Sequence, residues 1–167
     1  MSVTDHRKAA PLSVRCFVLT VSDTRTLDTD VSGRVIADLL TASGHVIAGR
    51  QLVRDDREAI TAAVSEQLRG GDAAALITTG GTGISSRDST YEAVTTLFEK
   101  RLDGFGELFR MLSFEEVGAA AMLSRACAGT AHGRVVFVLP GSSQAVRLAM
   151  ERLILPELGH IVKEQNK

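Results

Sequence analysis

The chain has 167 residues, which is a typical length for one domain, and its formal net charge is −1. Hydrophobic residues make up 44% and charged residues 23%, so the chain can bury a core without disulfides or structural metals. Aromatic residues make up only 4%, with no tryptophan, and no basic excess exists. We therefore expect neither a nucleic-acid-binding face nor a surface for anionic membranes.

No apolar stretch approaches the ~20 residues that span a bilayer. Residues 1–13 are polar and lack the apolar core of a signal peptide, and we predict a disordered tail there. Residues 14–167 should form a single domain, located in the cytoplasm. Cys16 and Cys127 lie far apart and the histidines have no ligand spacing, which argues against a zinc site.

The first half of the domain alternates between strand and helix patterns. Residues 15–22 are apolar on both faces, as in an interior parallel strand. A helix begins at Ser32 and ends before Gly44, and residues 45–53 form a second strand interrupted at Gly49. Asp55 is predicted to cap the next helix, which ends at the glycine pair 70–71.

The second half continues the alternation. Residues 74–79 form a strand, and an S-x-x-E pattern predicts a helix over residues 90–98. Residues 104–106 should break the chain before a helix over 107–117, and residues 119–128 are at most weakly helical. A clear strand, 134–139, precedes a last helix that Pro156 kinks or restarts. The whole pattern predicts an α/β fold with three layers, a mostly parallel sheet having helices on both faces.

The turn after the third strand is the segment most indicative of function. It reads Thr79-Gly80-Gly81-Thr82-Gly83, and Asp88 follows it. Glycines allow a path that brings main-chain N–H groups close to a phosphate. Neither the Walker pattern nor G-x-G-x-x-G is present, and a tight turn that binds nothing remains an alternative.

Polar turns should meet at one edge of the predicted sheet. Ligands bind outside the carboxyl ends of parallel strands, where residues 22–23, 55–56, 80–88 and 141–143 are expected. Each turn has a purely structural alternative: residues 22–23 can end a strand, and Asp55 can cap a helix. Asp88 can pair with Arg87, cap the following helix or hold Mg²⁺. Ser142 and the following serine can cap the last helix or hold an anion.

Several motifs, in order and at matching spacing, resemble the MogA/MoaB family of molybdenum-cofactor biosynthesis proteins, whose fold also occurs in the G domain of gephyrin. They are residues 78–83 followed by 87–88, and residues 19–23, 104–107, 111–113, 123–125 and 139–142. Residues 110–116 and 140–145 resemble the MoaB branch most. The residues after Asp88 and after Gly141 differ from those of MogA and gephyrin-like members.

The resemblance implies a molybdopterin adenylyltransferase, which joins molybdopterin and ATP with Mg²⁺ and releases pyrophosphate. Asp55 and Asp88 match the family's functional aspartates and would be catalytic and hold the metal. Residues 79–83 would bind the nucleotide. The expected molybdopterin-binding residues are Ser22, Asp23, Glu107, Gly141, Ser142 and Ser143.

The resemblance also implies a homo-trimer or a hexamer, and transfer of the product to a molybdate-inserting protein. Two other functions remain open. The loops after Asp88 and after Gly141, which differ from those of MogA and gephyrin-like members, are compatible with a carrier that binds molybdopterin without adenylylating it. An oligomeric scaffold, as in gephyrin, is less favoured because no further region is attached to this small domain.

Overall fold

The computed structural model describes residues 2–167, apart from the side chain of His6, as a three-layer α/β structure. The strands are β1 Arg15–Val21, β2 Val46–Val53, β3 Ala75–Thr79, β4 Lys100–Arg101, β5 Cys127–Ala131 and β6 Arg134–Leu139. The helices are α1 Val3–Lys8, α2 Val31–Ala42, α3 Arg57–Gly70, α4 Thr90–Thr95, α5 Asp103–Val117, α6 Ser143–Ala149 and α7 Leu155–Gln165. A 3₁₀ segment, Gly118–Leu123, follows α5, and a π-helical turn, Met150–Ile154, joins α6 to α7.

The strands form one mixed sheet in the order β2-β1-β3-β6-β5-β4. The first four are parallel, whereas β5 runs antiparallel to β6 and β4 antiparallel to β5. The chain moves outward from β1 to β2 and then crosses to β3, so the topological switch lies between β1 and β3. Thr20, Thr79 and Leu139 lie side by side in the register, which brings three strand ends to one level.

Two apolar cores cover the two faces of the sheet, as the three-layer prediction requires. On one face, Val18, Ile77 and Phe137 pack against α2, α5, α6 and α7. On the other face, Leu19, Leu76 and related strand residues pack against α3 and α4. Branched aliphatic side chains that alternate between the faces therefore fix both helix layers. Within residues 2–167, no helix is long and apolar enough to cross a membrane.

The prediction of a disordered tail differs from the structure, because residues 3–8 form α1. Ser2 and Asp5 form a capping box at its start. Arg7 pairs with Glu157 of α7, and the chain then passes over Gly159, where a side chain would collide with Pro11. Tertiary contact with α7 thus orders a segment whose composition is polar.

The antiparallel edge of the sheet was not predicted. Strand β5 reads Cys-Ala-Gly-Thr-Ala, a sequence with little β-propensity, and the two-residue β4 has no pattern of its own. The predicted break at residues 104–106 is wrong, because these residues lie inside α5. Gly106 is required there: a Cβ at this position would come within 2.8 Å of the Ala126 carbonyl oxygen.

Three local predictions also need correction. Asp56, and not Asp55, caps α3 by accepting from the Ala59 N–H at 2.9 Å. Ser89 precedes α4 without a side-chain capping bond, and that helix ends at Thr95 rather than at residue 98. Strand β2 is not interrupted at Gly49 but continues past an irregularity in its pairing with β1.

Candidate functional site

The four polar turns do meet at the carboxyl end of the parallel strands. Gly80 lies against the end of β1, so close that a Cβ would collide with the Val21 carbonyl oxygen. A Cβ on Gly141 would lie 3.4 Å from the Gly80 Cα, so the turn after β6 packs against the turn after β3. Ser32, in the first turn of α2, donates to the Gly141 carbonyl oxygen at 2.6 Å. The turns therefore form one surface at the topological switch.

The glycine turn offers fewer N–H groups than the sequence predicts. The Gly80 N–H donates to the Leu139 carbonyl oxygen at 3.1 Å and is therefore unavailable to a nucleotide. Thr79 is buried, and its hydroxyl donates to the Pro140 carbonyl oxygen at 2.8 Å, so this side chain fixes the turn. Among the described residues, no hydrogen bond engages the N–H groups of residues 81–83, which leaves these three as candidate phosphate donors.

Asp88 lines a cavity of about 410 Å³ together with the glycine turn. Its Oδ2 accepts from the Ser85 N–H at 2.9 Å, and the carboxylate lies directly against Gly83, where a Cβ would come 2.9 Å from the Asp88 Cγ. The turn at 140–142 forms another wall, and α5 and the 3₁₀ segment supply apolar walls. Two carboxylates, Asp88 and Glu116, thus share this cavity with the glycine turn and apolar walls, and we call it the Asp88 cavity.

Asp55 lies in a second cavity, of about 780 Å³, and not in the Asp88 cavity. Its Oδ1 accepts from the Ser89 N–H at 3.1 Å and from the Ser89 hydroxyl at 2.7 Å. Its own N–H donates to Asp23 Oδ1 at 3.1 Å. The Arg87 guanidinium, which donates to Asp23, lowers the pKa of the Asp23 carboxyl, with the Asp55 N–H acting in the same direction. Asp23 thereby links the loop after β2 to the loop that carries Asp88.

A third cavity, of about 560 Å³, contains the remaining predicted turns. Ser22 lines it, but its hydroxyl already accepts from the N–H groups of Thr24 and Arg25 at 3.2 and 3.0 Å. Ser142 and Ser143 line it too, and Ser142 caps α6 by accepting from the Ala145 N–H at 3.2 Å. Gly81, Gly141 and Ser142 line both this cavity and the Asp88 cavity, so a ligand could extend between the two.

Glu107 is not part of this surface within the chain. It is exposed on α5 and lines none of the three cavities. The G-F-G-E segment resembles the family motif, yet its position is set by the close packing of Gly106 on the residue before β5. Its predicted contact with molybdopterin therefore has no support in the geometry of one protomer.

Two residues that organise the site were not predicted. Arg125 donates to the carbonyl oxygens of Thr82 and Gly83, at 3.1 and 2.6 Å, and pairs with Glu92. No local sequence pattern predicts this contact, because Arg125 and Thr82 are more than 40 residues apart in the chain. The second residue, buried Asp30, caps α2 through the Gly33 N–H at 2.9 Å; an aspartate at the start of an apolar helical pattern was the signal that could have revealed it.

Oxygen atoms of the kind that bind a hard cation lie beside Gly81. Thr90 Oγ1 is buried without a hydrogen-bond partner, and it lies with Asp55 Oδ2 beside Gly81, where a Cβ would come 2.8 Å from that carboxylate oxygen. No group of three or more acidic, histidine or cysteine side chains within the described part of the chain could hold a metal alone. Mg²⁺ usually binds through one or two carboxylates plus phosphate oxygens, and Asp55 and Asp88, each in its own cavity, are the candidate carboxylates.

Comparison with known proteins identifies the family. Residues 17–160 match the family described as "Probable molybdopterin binding domain". The chain belongs to this family. It is 53% identical to "Molybdenum cofactor biosynthesis protein B" of Bacillus cereus, and the match covers 100% of this chain and 99% of that protein.

Solved structures of the family agree with the fold. A crystal structure of molybdenum cofactor biosynthesis protein B matches with a TM-score of 0.91 at 52% identity, covering 94% of this chain and 98% of the other. The tungsten cofactor synthesizing protein MoaB from Pyrococcus furiosus matches with a TM-score of 0.85 at 40% identity, covering 95% and 100%. The predicted family resemblance and fold class are thereby confirmed.

Proposed function

We propose that this protein acts in molybdenum cofactor biosynthesis as a molybdopterin adenylyltransferase. It would join molybdopterin and ATP to give adenylylated molybdopterin and pyrophosphate. The observation that carries the proposal is the Asp88 cavity, which Asp88 lines together with residues 81–83, whose N–H groups have no hydrogen-bond partner among the described residues. Family membership and the similarity to proteins named for molybdenum cofactor biosynthesis support the pathway.

The proposed reaction requires correct positioning of the two substrates and does not require a strong general base. The phosphate of molybdopterin is already a nucleophile, and it attacks the α-phosphorus of ATP while pyrophosphate leaves. Residues 81–83 donate N–H groups to the phosphates, and Ser142 with the start of α6 orients the pterin phosphate. The apolar wall from α5 and the 3₁₀ segment reduces access of water to the reacting groups.

Asp88 and Asp55 would hold Mg²⁺, which neutralises charge on the phosphates when it is bound. Asp88 is held in place by the Ser85 N–H, and Asp55 by Ser89, so each carboxylate retains oxygen lone pairs for the cation. Arg87, which pairs with Asp23, ties the loop that carries Asp88 to the turn after β1.

The test is product formation from molybdopterin, ATP and Mg²⁺, measured as released pyrophosphate and adenylylated molybdopterin. Asp88→Asn should abolish turnover and leave the fold unchanged, since it keeps the size of the side chain. Asp38→Asn, on the exposed face of α2, is the matched control and should retain full activity. Full turnover by Asp88→Asn would refute the assignment.

A molybdopterin carrier without catalytic activity is the second candidate. The specific observation in its favour is that Asp55 and Asp88, expected to act together, line different cavities. A carrier would bind molybdopterin in a calorimetric titration yet release no pyrophosphate with ATP and Mg²⁺. Product formation that requires both aspartates would exclude this alternative.

We also propose that the protein assembles as a homo-trimer or hexamer and passes its product to a molybdate-inserting protein. Six large apolar side chains are exposed on α5 and the 3₁₀ segment: Leu108, Met111, Phe114, Val117, Met122 and Leu123. Two of them, Val117 and Leu123, line the Asp88 cavity. Light scattering should give a multiple of the 17.8 kDa chain mass, and a monomer mass would contradict the proposal.

A further inference from the structure

A separate cavity of about 290 Å³ lies between the start of α5 and β5, and none of the residues predicted to bind molybdopterin, ATP or Mg²⁺ lines it. Three arginines line this cavity: Arg101 from β4, Arg110 from α5, and Arg125 from the segment before β5. The volume is close to the lower end, about 300 Å³, of cavities that hold small molecules. We call it the arginine cavity.

The positive charge of the arginine cavity exceeds the negative charge around it. Arg101 pairs with Asp103 at 3.5 Å, and Arg125 pairs with Glu92. Arg110 is half-buried and donates to the carbonyl oxygens of residues 126 and 124 at 2.9 and 3.4 Å, but no carboxylate among the described side chains pairs with it. Because buried charges are normally paired, one guanidinium here lacks a counter-ion.

Cys127 does not supply that negative charge. Burial raises the pKa of its thiol to about 11, although the three nearby arginines act in the opposite direction. The thiol is therefore protonated at neutral pH, and it is a neutral wall of the cavity.

Tyr91 adds a polar group to the same cavity. Its hydroxyl accepts from Arg101 at 2.9 Å, and the guanidinium carbons of Arg101 and Arg125 lie 5.8 and 5.0 Å from the centre of its ring. The phenol keeps its own proton to donate, so it can bind an anion together with the arginines. Guanidinium groups favour phosphate because two parallel N–H groups match two of its oxygens.

We propose that the arginine cavity binds a phosphate group, either as free phosphate or on a small phosphomonoester. Arg101 and Arg110 supply the charged donors, Tyr91 supplies a hydroxyl, and Asp103 at the rim opposes binding. The residues that would bind this phosphate, Arg101, Arg110 and Tyr91, are not among those proposed to bind ATP, molybdopterin or Mg²⁺.

The chain provides its own local probe. Tyr91 is the single tyrosine and the chain has no tryptophan, so tyrosine fluorescence reports on the arginine cavity and not on the Asp88 cavity. The experiment titrates the full-length protein with inorganic phosphate against sodium chloride at matched ionic strength. A saturable fluorescence change with phosphate, absent with chloride, is the expected result.

Two substitutions in the arginine cavity, expected to change the phosphate affinity in opposite directions, make the test specific. Arg101→Gln, on a side chain that is 45% exposed, should fold and weaken phosphate binding about tenfold or more. Asp103→Asn should strengthen binding, since it removes the one carboxylate that lines the cavity. Arg69→Gln, on an exposed arginine near the end of α3, is the control with the same loss of charge and should bind as the parent protein does.

Three results would overturn the proposal: no saturable change in the parent protein, equal affinities for Arg101→Gln and Arg69→Gln, or weaker binding by Asp103→Asn. Arg110→Gln should also weaken phosphate binding, and circular dichroism checks that this variant folds. Titration with glycerol 3-phosphate distinguishes free phosphate from a phosphomonoester as the ligand of the cavity. Tighter binding than inorganic phosphate assigns the cavity to a phosphomonoester, and equal or weaker binding assigns it to free phosphate.

Discussion

Arg125 holds the glycine turn in place, and its replacement by methionine gives a sharp test of that role. The guanidinium donates to the carbonyl oxygens of Thr82 and Gly83, pairs with both oxygens of Glu92, and lies 5.0 Å from the centre of the Tyr91 ring. Arg125→Met keeps the apolar stem and removes all of these contacts. The carbonyl oxygens of Thr82 and Gly83 would then need hydrogen bonds from water, and the N–H groups of the glycine turn would no longer be held in one direction.

The expected cost follows from the individual contacts. Each hydrogen bond to a carbonyl contributes about 1 kcal/mol. The ion pair with Glu92 is discounted to about 0.5–1 kcal/mol, because the two side chains are 26% and 43% exposed. Stacking over Tyr91 adds about 0.5 kcal/mol. We expect Arg125→Met to lower the free energy of unfolding by about 3 kcal/mol, which corresponds to about 6–12 °C in Tm for a chain of this size.

Urea and thermal unfolding followed by circular dichroism measure this loss. Arg101→Met is the matched control: Arg101 also lies over Tyr91 but does not contact the glycine turn, so it should lose about 1 kcal/mol. Molybdopterin binding should weaken in Arg125→Met and persist in Arg101→Met. A Tm for Arg125→Met within about 2 °C of the control would refute the idea that this arginine supports the turn.

Three further predictions follow from the same structure. Asp30→Asn should destabilise the protein by about 3 kcal/mol in urea unfolding, because it leaves the Arg50 guanidinium, 3.1 Å away, without its buried carboxylate. Gly81→Ala should abolish turnover with ATP and reduce stability, since Gly81 has φ +68° and a Cβ would displace the Asp55 carboxylate. Arg125 lowers the pKa of Glu92, so their pairing stabilises the protein above about pH 4.3 and is lost as pH falls through the lowered pKa. The difference in unfolding free energy between the parent protein and Arg125→Met should therefore shrink in acid by the contribution of this ion pair, about 0.5–1 kcal/mol; a difference that stays constant with pH would contradict this.

The sequence predicted the fold well where local pattern and tertiary structure agree. Strand β6 has the predicted bounds, and β1 and β3 differ from prediction by one residue, since apolar runs on an interior strand have no competing interpretation. Strand β5 was missed because its small residues have little β-propensity. The continuity of α5 through Gly106 was missed for another reason. A glycine that permits close approach of two elements has the same local signal as one that ends a helix.

The site was predicted at the level of loops and not at the level of atoms. Convergence of the four turns follows from parallel strands that share an edge, which alternation alone can predict. The Gly80 N–H donates to the Leu139 carbonyl oxygen because of the register between β3 and β6, two strands far apart in the chain. The cap of α3 is Asp56 and not Asp55, a shift of one residue within a run of charged residues. Neither can be derived from spacing in a single chain.

The separation of Asp55 from Asp88 gives the two aspartates different relations to the fold. Asp88 accepts one hydrogen bond, from the Ser85 N–H, and its carboxylate lies against Gly83 in the Asp88 cavity. Asp55 accepts two hydrogen bonds from Ser89 and is tied through its own N–H to Asp23. Gly81 lines the Asp88 cavity and also lies beside Asp55 Oδ2 and the unpartnered Thr90 hydroxyl, so this glycine connects the surroundings of the two aspartates. If both carboxylates act on one substrate, as we propose, that substrate should contact the glycine turn, and a side chain at position 81 should separate them.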